Sequence, residues 1–299
     1  MAVTHTEVYR PFSGTLARHP FRFLPLFASE IAVATRKKLP LIILFGPVAI
    51  STIVVCFLVY ARFVLQQGIT GDGMSLQAAM AVAATDAMLQ VRGLIFQATA
   101  LMVAFSILVI VFFGAGLICE DRRANAHLLY FSRPLTRLDY FFGKFCTAAF
   151  FGSMVALVPN LLICTMAVFS SPEWSFLLEQ WDVILSSIAF GLIWISSMGL
   201  LVLAVSSLAP KKIFAMVGFF GFVFLVEVFV NVGTEVGDVD AVRYLSIVRN
   251  LGTIGEWLFA DIGADPPEGL VGHAVGTAGL MLVSGLVLAW RLRRMELSS

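Results

Sequence analysis

The sequence predicts an all-α membrane protein with six transmembrane helices, and three observations carry that reading. First, 59% of the 299 residues are hydrophobic and only 13% charged, with a mean hydropathy of +0.93, whereas a soluble domain carries about a quarter charged residues. Second, six apolar runs each reach about 20 residues, the length at which a rise of ~1.5 Å per residue crosses a hydrocarbon core of ~30 Å. Third, the basic residues gather in alternate connecting segments. Spanning strands would need about ten alternating residues, and no segment alternates in that way, so the spans are expected to be helices.

The elements follow in chain order. The first twenty residues are polar, with His5, Arg10 and Arg18, and no short apolar stretch with a cleavage site follows, so no removed signal peptide is expected. In 21–38, Leu24, Phe27, Ile31 and Ala34 recur at helical spacing before Arg36, Lys37 and Lys38. This predicts an amphipathic interface helix whose first turn accepts Pro25, with a plain extension of the first span as the other reading. The spans are expected at 41–61, 94–119, 145–169, 183–208, 213–232 and 271–290, and only Glu227 puts a full charge inside any of them. Pro47 and Pro159 are expected to kink their helices. Gly191 and Gly199 in the fourth span suit close helix contact.

The stretch 74–91 is apolar but interrupted by Gln77, Asp86 and Gln90, and reads as an outer helix or an early start of the second span. In 233–269, Val242, Leu245, Val248, Leu251, Ile254 and Leu258 recur at helical spacing. One or two short outer helices are expected there, with Trp257 at headgroup depth, before Asp265-Pro266-Pro267 breaks the chain. No fixed-period repeat or separate soluble domain is visible, so 1–299 reads as one domain.

Orientation comes from Lys and Arg. The N-terminal segment, the segment 120–144, Lys211 with Lys212, and the C-terminus together hold 16 of the 20 basic residues, leaving Arg62, Arg92, Arg243 and Arg249 on the other side. The positive-inside rule then puts both termini in the cytoplasm. The expected location is the cell's inner (cytoplasmic) membrane, as a multi-pass protein.

Several chemistries lack their motifs. No GxxxxGK[ST] is present, so the chain is not expected to cradle ATP phosphates itself. The histidines His5, His19, His127 and His273 form no HExxH or carboxylate cluster, and no GxSxG occurs, so neither metal nor catalytic residues are expected. Cys56, Cys119, Cys146 and Cys164 fall in or beside apolar runs without metal-type spacing, and read as free thiols. Among polar residues inside the spans, Glu227 is a candidate pathway or outer-gate carboxylate, or an acid paired within the protein. Gln97 and Asn160 are candidate pathway residues, or hydrogen-bonding contacts between helices.

The most specific segment is 118–145, a dense polar stretch between two apolar runs. Glu120, Asp121, Arg122 and Arg123 open it. Ala124, His127, Leu128 and Phe131 then fall at helical spacing, so a short amphipathic helix is expected, ended by Pro134. Arg133 and Arg137 flank that break, and a new helix starts near Asp139 and runs into the third span. Read from the residues alone, the segment either enforces topology as a solvated loop or docks a soluble partner.

Glu120, Leu128-Leu129, Ser132-Arg133-Pro134, Arg137 and Gly143-Lys144 resemble the loop between the second and third spans of ABC-2 type permeases, the membrane subunits of many ABC exporters. The resemblance touches the whole chain, through the helix before span one, the six spans and the outer helices before span six. Only 118–145 matches at motif level. It implies a separate ABC ATPase subunit carrying ATP and Mg, and a cytoplasmic coupling helix in 120–137. The coupling residues would be Glu120, Asp121, Arg122, Arg123, His127, Ser132, Arg133, Pro134 and Arg137. It further implies a second permease copy, identical or not, with substrate moving across the bilayer between the copies or along their lipid-facing groove. No cofactor is expected on this chain, and no nucleic acid. The alternative function is an ATP-independent secondary transporter or channel, which the single intramembrane carboxylate and the lack of paired inverted halves argue against.

Overall fold

The structure is a computed structural model that describes residues 23–36, 38–69, 91–124, 126, 136–171, 174–235, 240–260 and 264–297. Among these residues every regular element is helical: α1 Leu24–Thr35, α2 Lys38–Ile69, α3 Val91–Gly114, α4 Cys119–Arg123, α5 Arg137–Ala156, α6 Val158–Ser170, α7 Ser175–Glu179, α8 Trp181–Leu208, α9 Lys212–Glu235, a 3-10 turn Asp240–Leu245, α10 Ile247–Leu258 and α11 Leu270–Leu297. Six stretches are long and apolar enough to cross a membrane: Pro40–Phe63, Val91–Arg123, Arg137–Ser170, Trp181–Leu208, Lys212–Glu235 and Leu270–Arg294. Each contains one of the six runs expected from the sequence, so the chain is a multi-pass membrane protein.

The differences lie at the ends. The helix of span 3 begins at Arg137, close to the start expected near Asp139 and ahead of the apolar run at 145–169. Thr136 caps α5: its hydroxyl accepts from Asp139 N (3.2 Å), and the Asp139 carboxylate accepts from Thr136 N (3.0 Å). This reciprocal box satisfies two of the donors that a helix start leaves open. Span 3 also breaks at Leu157, between α5 and α6, where Pro159 opens the second piece, as expected of a proline that cannot donate to the preceding turn. Helix α2, in contrast, runs through Pro47 without interruption. Span 4 ends where Ala209 is extended (φ −74°, ψ 145°), the conformation favoured before a proline, here Pro210. Of the 74–91 stretch only Val91 is described, as the first residue of α3.

Spans 2, 3 and 4 form the centre: 61, 50 and 61% of their apolar windows are buried, against 17% for each of spans 1, 5 and 6. Ile110, Phe151, Val155, Met198 and Leu203 are among the fully buried side chains there. Lipid tails are as apolar as these side chains, so hydrophobicity alone does not draw the helices together; close packing and hydrogen bonds do. At Gly191 an added Cβ would sit 2.3 Å from Leu157 Cδ2, whereas at Gly199 its nearest neighbour, Phe145, would be an ordinary 3.5 Å away. Of the two glycines, Gly191 therefore permits close approach. Spans 1 and 5 turn Ile43, Ile53 and Phe57, and Ile213, Phe224 and Leu225, outward, as surfaces facing hydrocarbon would.

Helix α1 begins at Leu24 with Pro25 in its first turn. Leu26 is buried while Leu24 is exposed, so the inward stripe starts two positions after the first residue of the spacing read in the sequence, then continues through Ile31 and Ala34 against the core. Before span 6, the expected outer helices correspond to the 3-10 turn and α10. Leu251 and Ile254 are buried as expected, but Leu245 and Val248 are exposed, and Ile247 and Asn250 take their inward places.

Candidate functional site

Of the charged residues of 118–145 that the structure describes, Asp121, Arg122 and Lys144 meet the ends of several spans at one end of the bundle, the basic end. Helix α3 stops at Gly114, and Ala115–Ile118 form a turn before α4. Such a break exposes backbone N–H groups that need partners. Ser206 of span 4 supplies them: its Oγ accepts from Ile118 N and Cys119 N (both 3.3 Å) and donates to Ala115 O (2.7 Å). One hydroxyl, using both acceptor sites and its donor, holds the turn in place.

The turn delivers α4, in which adjacent residues point to two different locks. Asp121 faces Lys144 of α5: Nζ and Oδ2 are 2.7 Å apart, and the same oxygen accepts from Tyr140 Oη (2.9 Å). Lys144 also reaches Glu30 of α1, with Nζ 2.5 Å from Oε1. Lys144 is 1% exposed, so its charge stands only because two carboxylates compensate it. Gly143, next to it, lets α1 lie close: an added Cβ would be 2.7 Å from Leu26 Cδ2. Lys144 thus joins α1, α4 and span 3.

Arg122 turns the other way. Its Nη1 donates to Ser207 O (2.5 Å), which also accepts from Arg291 Nε (3.2 Å). The last carbonyls of a helix lack backbone partners and carry its negative pole, so two guanidinium groups there are favourably placed. Arg122 and Arg291 thereby tie the ends of spans 2 and 6 to span 4. Glu120, Arg123 and Arg137 stay exposed. His127, Ser132, Arg133 and Pro134, with most of the expected coupling helix, lie outside the described residues.

The opposite end has its own polar contacts. Glu227 accepts from Ser246 Oγ (2.7 Å) and Val248 N (3.0 Å), and Ser246 in turn caps α10 by accepting from Arg249 N (3.0 Å). The carboxylate therefore sits at the positive pole of α10. It also borders an apolar groove on span 5 formed with Met216, Phe220 and Phe224. Asn250 Nδ2 donates to Tyr244 O (2.7 Å), which leaves Oδ1 to pair with His273 Nδ1 (2.7 Å). Arg92 contacts Asp182 and donates to Phe259 O (3.1 Å) and Ala260 O (2.5 Å), fastening spans 2 and 4 to the segment after α10. Gln97 is exposed. Asn160 is buried just after the Leu157 break, and neither of its amide atoms has a partner among the described residues.

Sequence reasoning located the acids and bases of 120–123 but missed Lys144 as a junction, Ser206 as a cap and the Arg92–Asp182 pair. Lys144 lies at the start of an apolar run, where a topology signal and a buried ion pair look alike. Among the described residues no group of His, Cys, Asp and Glu could hold a metal ion. The cysteines are free, with Cys119 and Cys164 buried.

Residues 87–254, more than half of the chain, match the family model described as ABC-2 family transporter protein. The match includes Asp121, Arg122, Lys144 and Ser206, while Glu30 and Arg291 lie outside it. No curated protein matches the sequence.

Proposed function

The chain belongs to the ABC-2 transporter family, as a membrane component of an ABC transporter and not its ATPase, and from that membership we infer how it works. It is the permease subunit of an exporter in the inner membrane, with both termini in the cytoplasm. A separate ATPase subunit docks on 120–137 at the basic end, and two permease copies move against each other as two ATPases close on ATP. The observation that carries this reading is the junction at Lys144. A buried cation joins α4, which opens the docking segment, to α1 and span 3. Force applied to Glu120, Arg123 and the residues that follow reaches the spans through short, desolvated contacts rather than through a loose loop.

Each part has a defined task. Exposed Glu120, Arg123 and Arg137 present charge to the partner. Asp121 passes movement to α1 and span 3 through Lys144, and Arg122 passes it to spans 4 and 6 through Ser207. The turn held by Ser206 fixes the angle at which α4 leaves span 2. The outer contacts at Glu227, Asn250 and Arg92 keep α10 seated while the basic end moves.

Co-purification tests the proposal. The chain, extracted in mild detergent, is expected to bring down a nucleotide-binding subunit. Charge reversal at Arg123, Arg133 and Arg137 should abolish that association while leaving the permease monodisperse. A chain that elutes alone and transports on a proton or sodium gradient would refute the reading in favour of a secondary transporter.

A further inference from the structure

Arg122 and Arg291 reach the same oxygen, Ser207 O, at 2.5 and 3.2 Å, so two guanidinium groups stand side by side at the end of span 4. Both residues are half-buried. The contact with Ser207 uses one N–H of each, whereas a guanidinium carries five. The helix pole that they share is equivalent to about half a negative charge, which leaves about one and a half positive charges in excess. Among the described residues neither guanidinium joins an ion pair. Arg291 acts on Arg122 as a like charge, so the two repel each other.

The nearby acids have other work. Glu30 and Asp121 hold Lys144, Asp139 closes the cap of α5, and 122–138 contains no acid at all. The surface beside the pair is apolar. Leu208 follows the shared carbonyl in sequence and is exposed, as are Leu286 and Trp290 of span 6. Arg294 lies over the Trp290 ring, with its guanidinium carbon 4.2 Å from the centroid. Tryptophan gathers at headgroup depth, and Trp290 adjoins Arg291, so the pair sits where hydrocarbon gives way to headgroups.

We propose that Arg122 and Arg291 together bind the phosphate diester of an anionic phospholipid from the adjoining leaflet. Each guanidinium presents its remaining N–H groups to phosphate oxygens in the planar fork that suits them. The acyl chains lie along Leu208 and Leu286, and the bound charge offsets the repulsion between the two cations. The site goes beyond the coupling role and does not require an ATPase to be docked, so either reading can fail without the other.

The test uses the full chain, with whatever subunit accompanies it, in dodecyl maltoside. Native mass spectrometry reads retention of added palmitoyl-oleoyl phosphatidylglycerol against the matching phosphatidylcholine. Phosphatidylglycerol is expected to be retained about tenfold better, the size of one charge-assisted hydrogen bond. Arg291→Gln and, separately, Arg122→Gln should each bring the two lipids to near parity, while Arg293→Gln, at an exposed position outside the pair, should keep the preference. Equal retention by the unsubstituted chain would overturn the proposal, as would an undiminished preference in either variant of the pair. An equal loss in Arg293→Gln would also overturn it, by tracing the preference to a diffuse basic surface. Tail-less glycerophosphoglycerol and inorganic phosphate, added at the same concentration, are expected not to displace the lipid; displacement by either would overturn the assignment to a membrane lipid.

Discussion

At the scale of single residues, Lys144 decides the most. Removing one partner of a buried ion pair leaves an uncompensated charge, which costs about 3–5 kcal/mol. Lys144→Met is therefore expected to lower stability by about 3 kcal/mol, with Glu30 and Asp121 left facing each other. Neutralising those acids in the same chain, with Glu30→Gln and Asp121→Asn, should recover most of the loss, and thermal unfolding in detergent measures both. Glu227 calls for a different expectation. Its carboxylate is engaged by Ser246 and Val248, so Glu227→Gln should cost only about 0.3–1 kcal/mol, the value of a charge at a helix terminus, and leave the transport rate unchanged. A folded variant that no longer transports would place the carboxylate in the pathway. The sequence marked Glu227 as the only full charge within the expected spans, but its partner Ser246 is one serine among many. It also marked Asp121 and Arg122 as charged without showing that they face opposite locks, because a helix of five residues is too short for periodicity to assign a side.

At the scale of elements, the six spans were legible because twenty apolar residues in a row leave few alternatives. Their ends were less so. Span 3 starts at a capping box of Thr136 and Asp139, near the helix start expected at Asp139, but α10 turns Ile247 and Asn250 inward where Leu245 and Val248 were expected. A 3-10 turn preceding α10 shifts the phase of the buried stripe, and hydropathy does not record such a shift. The seat of α10 depends on Gly276, where an added Cβ would stand 2.2 Å from Tyr244 O. That neighbour is backbone, so it cannot swing aside. Gly276→Ala is expected to cost about 1–3 kcal/mol, the usual penalty of overpacking, and to lift the 3-10 turn and α10 away from span 6. Hydrogen exchange at 247–258 should rise while exchange in spans 2 to 4 stays unchanged.

At the scale of the whole molecule, a central trio of spans 2, 3 and 4 carries the packing, and spans 1, 5 and 6 stand around it with most of their surface outward. The proposed assembly of two permeases and two ATPases would use such a surface for lipid and for a second copy. Native mass measurement of the intact assembly is expected to show two permease chains with two nucleotide-binding chains, and a single permease per particle would refute the paired arrangement. The Lys144 junction also bears on how the molecule is made. Glu30 and Lys144 are 114 positions apart, and spans 1 and 2 are synthesised between them. During biogenesis the first two spans are therefore synthesised before the cation that fastens α1 is added. Until residue 144 leaves the ribosome, Glu30 and Asp121 are two acids awaiting a common partner, and the N-terminal helix has no anchor on span 3. A chain truncated after span 2 lacks that anchor altogether, so arrival of the third span is the step that closes the basic end.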